Sequence, residues 1–151
     1  MKNFAIPFIL ACLISVSRGA VAQNISMAEL SIGGIAIGQT EQDVVKRLGT
    51  PSKRENTGEG YLLAYPGFEV YVGVGSYGVF EVVSRNPEHC TPSKVCPGMP
   101  ISGANRIYGA PVVASRESGT YFEYTPEGNS CWLQVSAPKD IILSMRIACQ
   151  P

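Results

Sequence analysis

The residue spacings in this chain that could carry chemistry are few. Gly73-Val74-Gly75-Ser76-Tyr77-Gly78 matches the letters G-x-G-x-x-G. A dinucleotide-binding fingerprint must leave a strand and open a helix, so that a pyrophosphate meets the helix N-terminus. Here Val79-Phe80-Glu81-Val82-Val83 follows, which reads as a second strand. The glycines therefore mark a hairpin tip, with Tyr77 as a protruding aromatic between them. His89 is the single histidine and stands beside Cys90. A nucleophile system needs a free thiol or an activated serine with an orienting acid, and neighbours in sequence rarely face each other productively. His89 therefore reads as an exposed linker residue. Glu69, Glu81 and Glu123 could share one face, and paired carboxylates can cleave glycosides. The same acids also keep a half-open sheet soluble. No H-E-x-x-H, Walker or EF-hand pattern occurs. The expectation is a protein that is not an enzyme and uses neither metal nor cofactor.

The cysteines are the other reactive set. The chain opens Met1-Lys2-Asn3, runs apolar from Phe4 to Val16 and reaches Ala20-Val21-Ala22. That is the layout of an export signal cleaved after Ala22, and the apolar run is short for a membrane span. Ile9-Leu10-Ala11-Cys12 loosely resembles a lipoprotein signal, but Leu10 is bulky for its position and the apolar run continues past Cys12. Export to the periplasm or beyond is expected, with lipid anchoring at Cys12 the lesser alternative. Removal of Cys12 leaves Cys90, Cys96, Cys131 and Cys149. An even count in an exported chain suggests two disulfides with three connectivities. The preferred pairing is Cys90–Cys96, closing a small loop, and Cys131–Cys149, joining neighbouring strands. Structural zinc wants tighter spacing than Cys90 and Cys96 offer.

Charge narrows the partners. The whole chain has 12 basic and 12 acidic side chains. Lys2 and Arg18 precede the cleavage site and every acid follows it, so the mature chain is slightly acidic. A nucleic-acid binder needs a basic stripe to displace counterions, and a polybasic membrane-surface protein needs a cluster. Neither is present.

The elements that must position these residues repeat. At an offset of sixty, Gly38 falls on Gly98, Gly49 on Gly109, Pro51 on Pro111, Tyr61 on Tyr121 and Pro66 on Pro126. Each unit reads as a helical segment, Gly-x-Pro, a polar stretch and then strands. Thr40 is an N-cap with Asp43 three residues on, and Val44, Val45 and Leu48 form an apolar stripe ending at Gly49. The pattern predicts a helix over Thr40–Leu48, a poorer one over Ser102–Tyr108 and a marginal turn at Ser26–Leu30. Strands are predicted at Tyr61–Tyr65, Phe68–Val72, Val79–Val83, Tyr121–Tyr124, Cys131–Val135 and Ile141–Ile147. The fold expected is α+β: a signal over 1–22, a helix-plus-meander unit over 23–86, a Cys-containing linker over 87–97 and a second unit over 98–151. Two sheets would lie side by side with helices on one face.

Ile35-Ala36-Ile37-Gly38-Gln39-Thr40-Glu41-Gln42-Asp43-Val44, followed by Leu48-Gly49-Thr50-Pro51, resembles the I-x-I-G-x-[ST]-x-x-x-V…L-G-x-P signature of the SmpA/OmlA outer-membrane assembly lipoproteins. That family is similar in fold to the β-lactamase inhibitory protein family, whose tandem units lay short helices against a four-stranded sheet. The assembly lipoproteins have one unit and an acylated cysteine. The doubled pattern, soluble export and disulfides here are closer to the inhibitory proteins.

Alternation along the strands, with charges as markers, predicts one open face. It would collect Tyr61, Tyr71, Tyr121 and Trp132 with Glu69, Glu81, Glu123 and Arg146, leaving Val79, Val83 and Ile142 also exposed. Phe80, Ile141, Leu143, Met145 and Ile147 would join the core. Tyr, Trp and Arg dominate protein-interface energetics. The function expected is binding of another protein through this face and the Tyr77 loop. The leading form is an inhibitor or immunity factor that occludes an envelope or extracellular hydrolase. The alternatives are an accessory of outer-membrane assembly and a periplasmic carrier of a small ligand.

Overall fold

The computed structural model describes residues 24–150. The export signal, its cleavage after Ala22 and the lipoprotein alternative at Cys12 all lie outside the described residues. Ser26 caps a 3-10 turn over Met27–Glu29 by accepting from the Ala28 amide. A small hairpin follows, β1 (Ser31–Ile32) and β2 (Ile35–Ala36), turned by Gly33 and Gly34, both at positive φ. Two consecutive positive φ values are what a two-residue primed turn demands, and glycine supplies them without strain.

Helix α1 spans Glu41–Leu48. Thr40 Oγ1 accepts from the Asp43 amide and Asp43 accepts from the Thr40 amide, so both halves of the predicted capping box form. Helix α2 spans Ile101–Tyr108 and starts from Pro100, with no side-chain cap. Strands β3 (Lys53–Asn56), β4 (Gly60–Tyr65), β5 (Phe68–Gly73) and β6 (Val79–Ser84) follow α1. Strands β7 (Val112–Arg116), β8 (Gly119–Tyr124), β9 (Cys131–Ser136) and β10 (Ser144–Cys149) follow α2.

The α+β expectation of two helix-plus-meander units with sheets side by side is overturned. The described chain is mostly β, with two short α-helices and one eight-stranded antiparallel sheet in the order β3-β4-β5-β6-β10-β9-β8-β7. The cause is the pairing of β6 with β10, in which Arg146 lies opposite Val83 and Ile147 opposite Val82. That ladder removes two edges that separate sheets would have exposed. The two edges that remain are β3 and β7, neither of which was predicted. Lys53-Arg54-Glu55-Asn56 has no apolar alternation and is exposed throughout, as a guarded edge strand should be.

One face of the sheet carries the core. Phe68, Val70, Val72 and Val82 point into it, joined from the other strands by Leu63, Leu133, Val135, Met145 and Ile147, all buried. Val44 of α1 and Ile101, Ala104 and Tyr108 of α2 close over them, with Ile32 and Ile35 from the small hairpin. Burying an aliphatic or aromatic side chain of this kind contributes about 1.5–3 kcal/mol.

Two disulfides form, Cys90–Cys96 and Cys131–Cys149, the preferred pairing. The second joins residues directly opposite each other on β9 and β10. Disulfides of this kind belong to oxidising compartments. Among the described residues no helix is long and apolar enough to cross a membrane.

Candidate functional site

The register defines the second face. Glu69 and Tyr71 on β5 lie level with Val83 and Glu81 on β6, and Arg146 on β10 lies opposite both Val83 and Gln134. Tyr121 and Glu123 on β8 lie opposite Ser136 and Gln134 of β9. Because side chains alternate across a strand, these residues share the face turned away from α1 and α2. A cavity of about 280 Å³ at its centre is lined by Glu69, Tyr71, Glu81, Tyr121, Gln134 and Arg146, among others. Trp132 lies on the same face by alternation with Gln134, half-buried, and its indole N–H has no partner among the described residues.

The charges on this face are paired. Arg85 Nη1 is 3.1 Å from Glu69, Arg146 Nη2 is 2.7 Å from Glu81 and Arg116 Nη1 is 2.6 Å from Glu123. Gln134 Nε2 also donates to Glu123 at 2.9 Å. Each carboxylate has its own guanidinium, so the face is a neutral ladder of alternating acceptors and donors. Burial, followed by the charges of Glu69 and Glu81, holds the Tyr71 phenol above its ordinary range and keeps it a neutral donor.

Tyr77 stands on the β5–β6 loop and is 79% exposed. The loop is the predicted hairpin tip, closed by the Gly73 amide donating to the Gly78 carbonyl at 2.8 Å. Gly78 has φ of 63°, and a Cβ there would lie 2.7 Å from the carbonyl oxygens of Gly38 and Gln39. Close backbone packing thus explains its place in the glycine pattern. Beside Tyr77 a cavity of about 600 Å³ is lined by Val74, Phe80, Glu81, Arg146 and Ala148, among others.

Several predicted placements are corrected. Tyr61 lies opposite Val72 and so on the helix side, where the Arg54 guanidinium sits 3.8 Å from its ring centroid. The offset of sixty fails here: the β3–β4 hairpin pairs Lys53 with Ala64 and the β7–β8 hairpin pairs Val112 with Glu123, an offset of fifty-nine. A slip of one residue puts a side chain on the opposite face. Phe80 is half-buried on the open side, its ring 6.2 Å from Tyr71, and Val79 is buried instead. A bulge between Tyr71 and Val72 shifts the register there.

Ile141 and Leu143 are exposed while Ile142 is 1% exposed. Ile142 is fixed by two backbone hydrogen bonds, to Gly98 and Met99, before β10 begins at Ser144, so strand alternation does not extend through it. Val83, expected to be exposed, is buried at the floor of the central cavity. His89 is half-buried, its ring 4.4 Å from Phe68, and burial lowers its pKa. Sequence reasoning missed Phe80, Ile141 and Leu143 as surface residues, and with them the exposed Val112 and Val113 of β7.

No family model and no curated protein matches the chain. Among solved structures it is similar to the 1.5 Å crystal structure of an extracellular protein containing a SCP domain from Bacillus anthracis str. Ames. The TM-score is 0.53 at 12% identity, covering 94% of this chain and 50% of that one. The chain spans about half the length of that structure, and the likeness is one of fold.

Proposed function

We propose that this is an exported, non-enzymatic protein that binds another protein through the open sheet face and the Tyr77 loop, and that it inhibits an envelope or extracellular hydrolase by covering its active site. The observation that carries the reading is the gathering of Tyr71, Phe80, Tyr121 and Trp132 on one face beside the 79% exposed Tyr77. Aromatic anchors with paired charges around them are what a protein interface uses. The two disulfides support it, since a braced surface loses less freedom on binding.

The test is a crosslinking capture from the source organism's envelope, comparing the protein with a Tyr77→Ala/Trp132→Ala variant. Recovery of one hydrolase, lost in the variant and inhibited by the purified protein, supports the reading. Recovery of outer-membrane assembly components by both forms overturns it.

A further inference from the structure

The central cavity does not stand alone. It shares Glu81 and Arg146 with the cavity beside Tyr77, and Arg85 with a third of about 350 Å³. The third is lined by Pro87, Pro97, Pro138, Ile141 and Leu143, among others. The three therefore follow one another along the β6–β10 seam, apolar at both ends and ionic in the middle. We infer that this seam receives an extended polypeptide segment of the partner, with one apolar side chain seated at each end. The inference rests on the protein-binding reading and deepens it.

Charge and length select the occupant. A neutral ladder of Glu69–Arg85 and Glu81–Arg146 pairs offers donors and acceptors together. That matches a peptide backbone, which carries both and no net charge, and not a polyanion. Phe80 and Arg85, which line the two end cavities, are five residues apart, at most about 17 Å at the rise of a strand, since Phe80 lies in the bulge. Alternate residues of an extended peptide point the same way, so anchors six residues apart, about 20 Å, reach both ends. Ile141 at 47% and Leu143 at 60% exposure supply the far anchor site, and Tyr77 the near one.

The probe is a phage-displayed library of linear twelve-residue peptides, panned on the full chain. Enriched peptides are expected to carry apolar side chains six apart, and to bind at least tenfold more weakly to Leu143→Asp and, separately, to Tyr77→Ala. Ile141→Lys is the second variant at the far end, and thermal unfolding verifies that each variant is folded. No enrichment, single-anchor peptides, or binding indifferent to either end would overturn the inference. A hydrolase captured through Tyr77 and Trp132 but retained by Leu143→Asp keeps the binding face and removes the seam. Two-anchor peptides without any captured hydrolase keep the seam and remove the inhibitor.

Discussion

Glu29 is a buried carboxylate whose removal has a calculable effect. Its Oε2 accepts from the Tyr108 hydroxyl at 2.5 Å and from the Ser93 amide at 3.3 Å, and its Oε1 accepts from Ser93 Oγ at 2.7 Å. Thr91 Oγ1 lies 2.6 Å from the same Tyr108 oxygen. The network ties the N-terminal turn to the Cys90–Cys96 loop and to the end of α2. Of the three bonds only that to Tyr108 is fully buried, and a buried bond to a charged group contributes about 1.5–3 kcal/mol. The Ser93 bonds are partly buried and contribute about 0.5 kcal/mol each. Glu29→Ala is therefore expected to destabilise by about 3 kcal/mol. Glu29→Gln keeps an acceptor for Tyr108 and is expected to cost about 1 kcal/mol. Urea unfolding at unchanged m-value reads both. If Glu29→Ala lies within about 0.5 kcal/mol of the native chain, or if Gln and Ala are equally damaging, the network does not hold the segments together.

Further expectations follow from the same geometry. Replacing Cys131 and Cys149 by serine should lower stability by about 3 kcal/mol and replacing Cys90 and Cys96 by about 2 kcal/mol, from the loop lengths; denaturant melts under oxidising conditions read the difference. Gly78→Ala should cost at least about 2 kcal/mol, because its φ is positive and the Cβ meets two backbone oxygens; thermal unfolding measures it. Burial raises the Tyr124 phenol to about 12 and Tyr108 further. Unfolded tyrosines lose their protons near about 10, while the folded ones keep them. Stability is thus fully present below about pH 10 and falls above it, by up to about 1.4 kcal/mol per pH unit for each residue. Tyr124→Phe should reduce that slope between about pH 10 and the folded value of about 12 in alkaline unfolding.

Local signals were legible where one interaction decides the conformation. The capping box at Thr40 and Asp43 and the glycine tip of the β5–β6 hairpin needed only neighbours in sequence. So did the six predicted strands, although the last begins at Ser144 and not at Ile141. Faces were legible for Tyr71, Tyr121 and Trp132, which stand where alternation runs unbroken. They were not legible for Tyr61 or Phe80, because a one-residue change of offset and a one-residue bulge leave no mark in composition. Ile141 and Leu143 depend on backbone bonds from Ile142 to Gly98 and Met99, some forty residues away. The β3 edge escaped notice because its exposed charges resist pairing and leave no alternation, and β7 because its adjacent Val112 and Val113, both exposed, break the apolar-polar alternation that marks a half-buried strand.

The pairing of β6 with β10 explains why the candidate site exists at all. With two separate sheets, the apolar ends at Tyr77 and at Leu143 would have no common floor. Joined, they lie on one ladder whose central strands are flanked on both sides, the most constrained position in a sheet. The core on the opposite face holds that ladder through Val82, Met145 and Ile147, each fully buried, while Cys131–Cys149 ties β9 to β10 near the Tyr77 end. A partner segment would therefore meet a surface already in its binding geometry, and little ordering would oppose its affinity. The paired guanidiniums and carboxylates keep that surface soluble when it is empty. On the seam inference, an occupant would gain from these pairs only by offering donors and acceptors together, which would set selectivity apart from the apolar contacts that hold it.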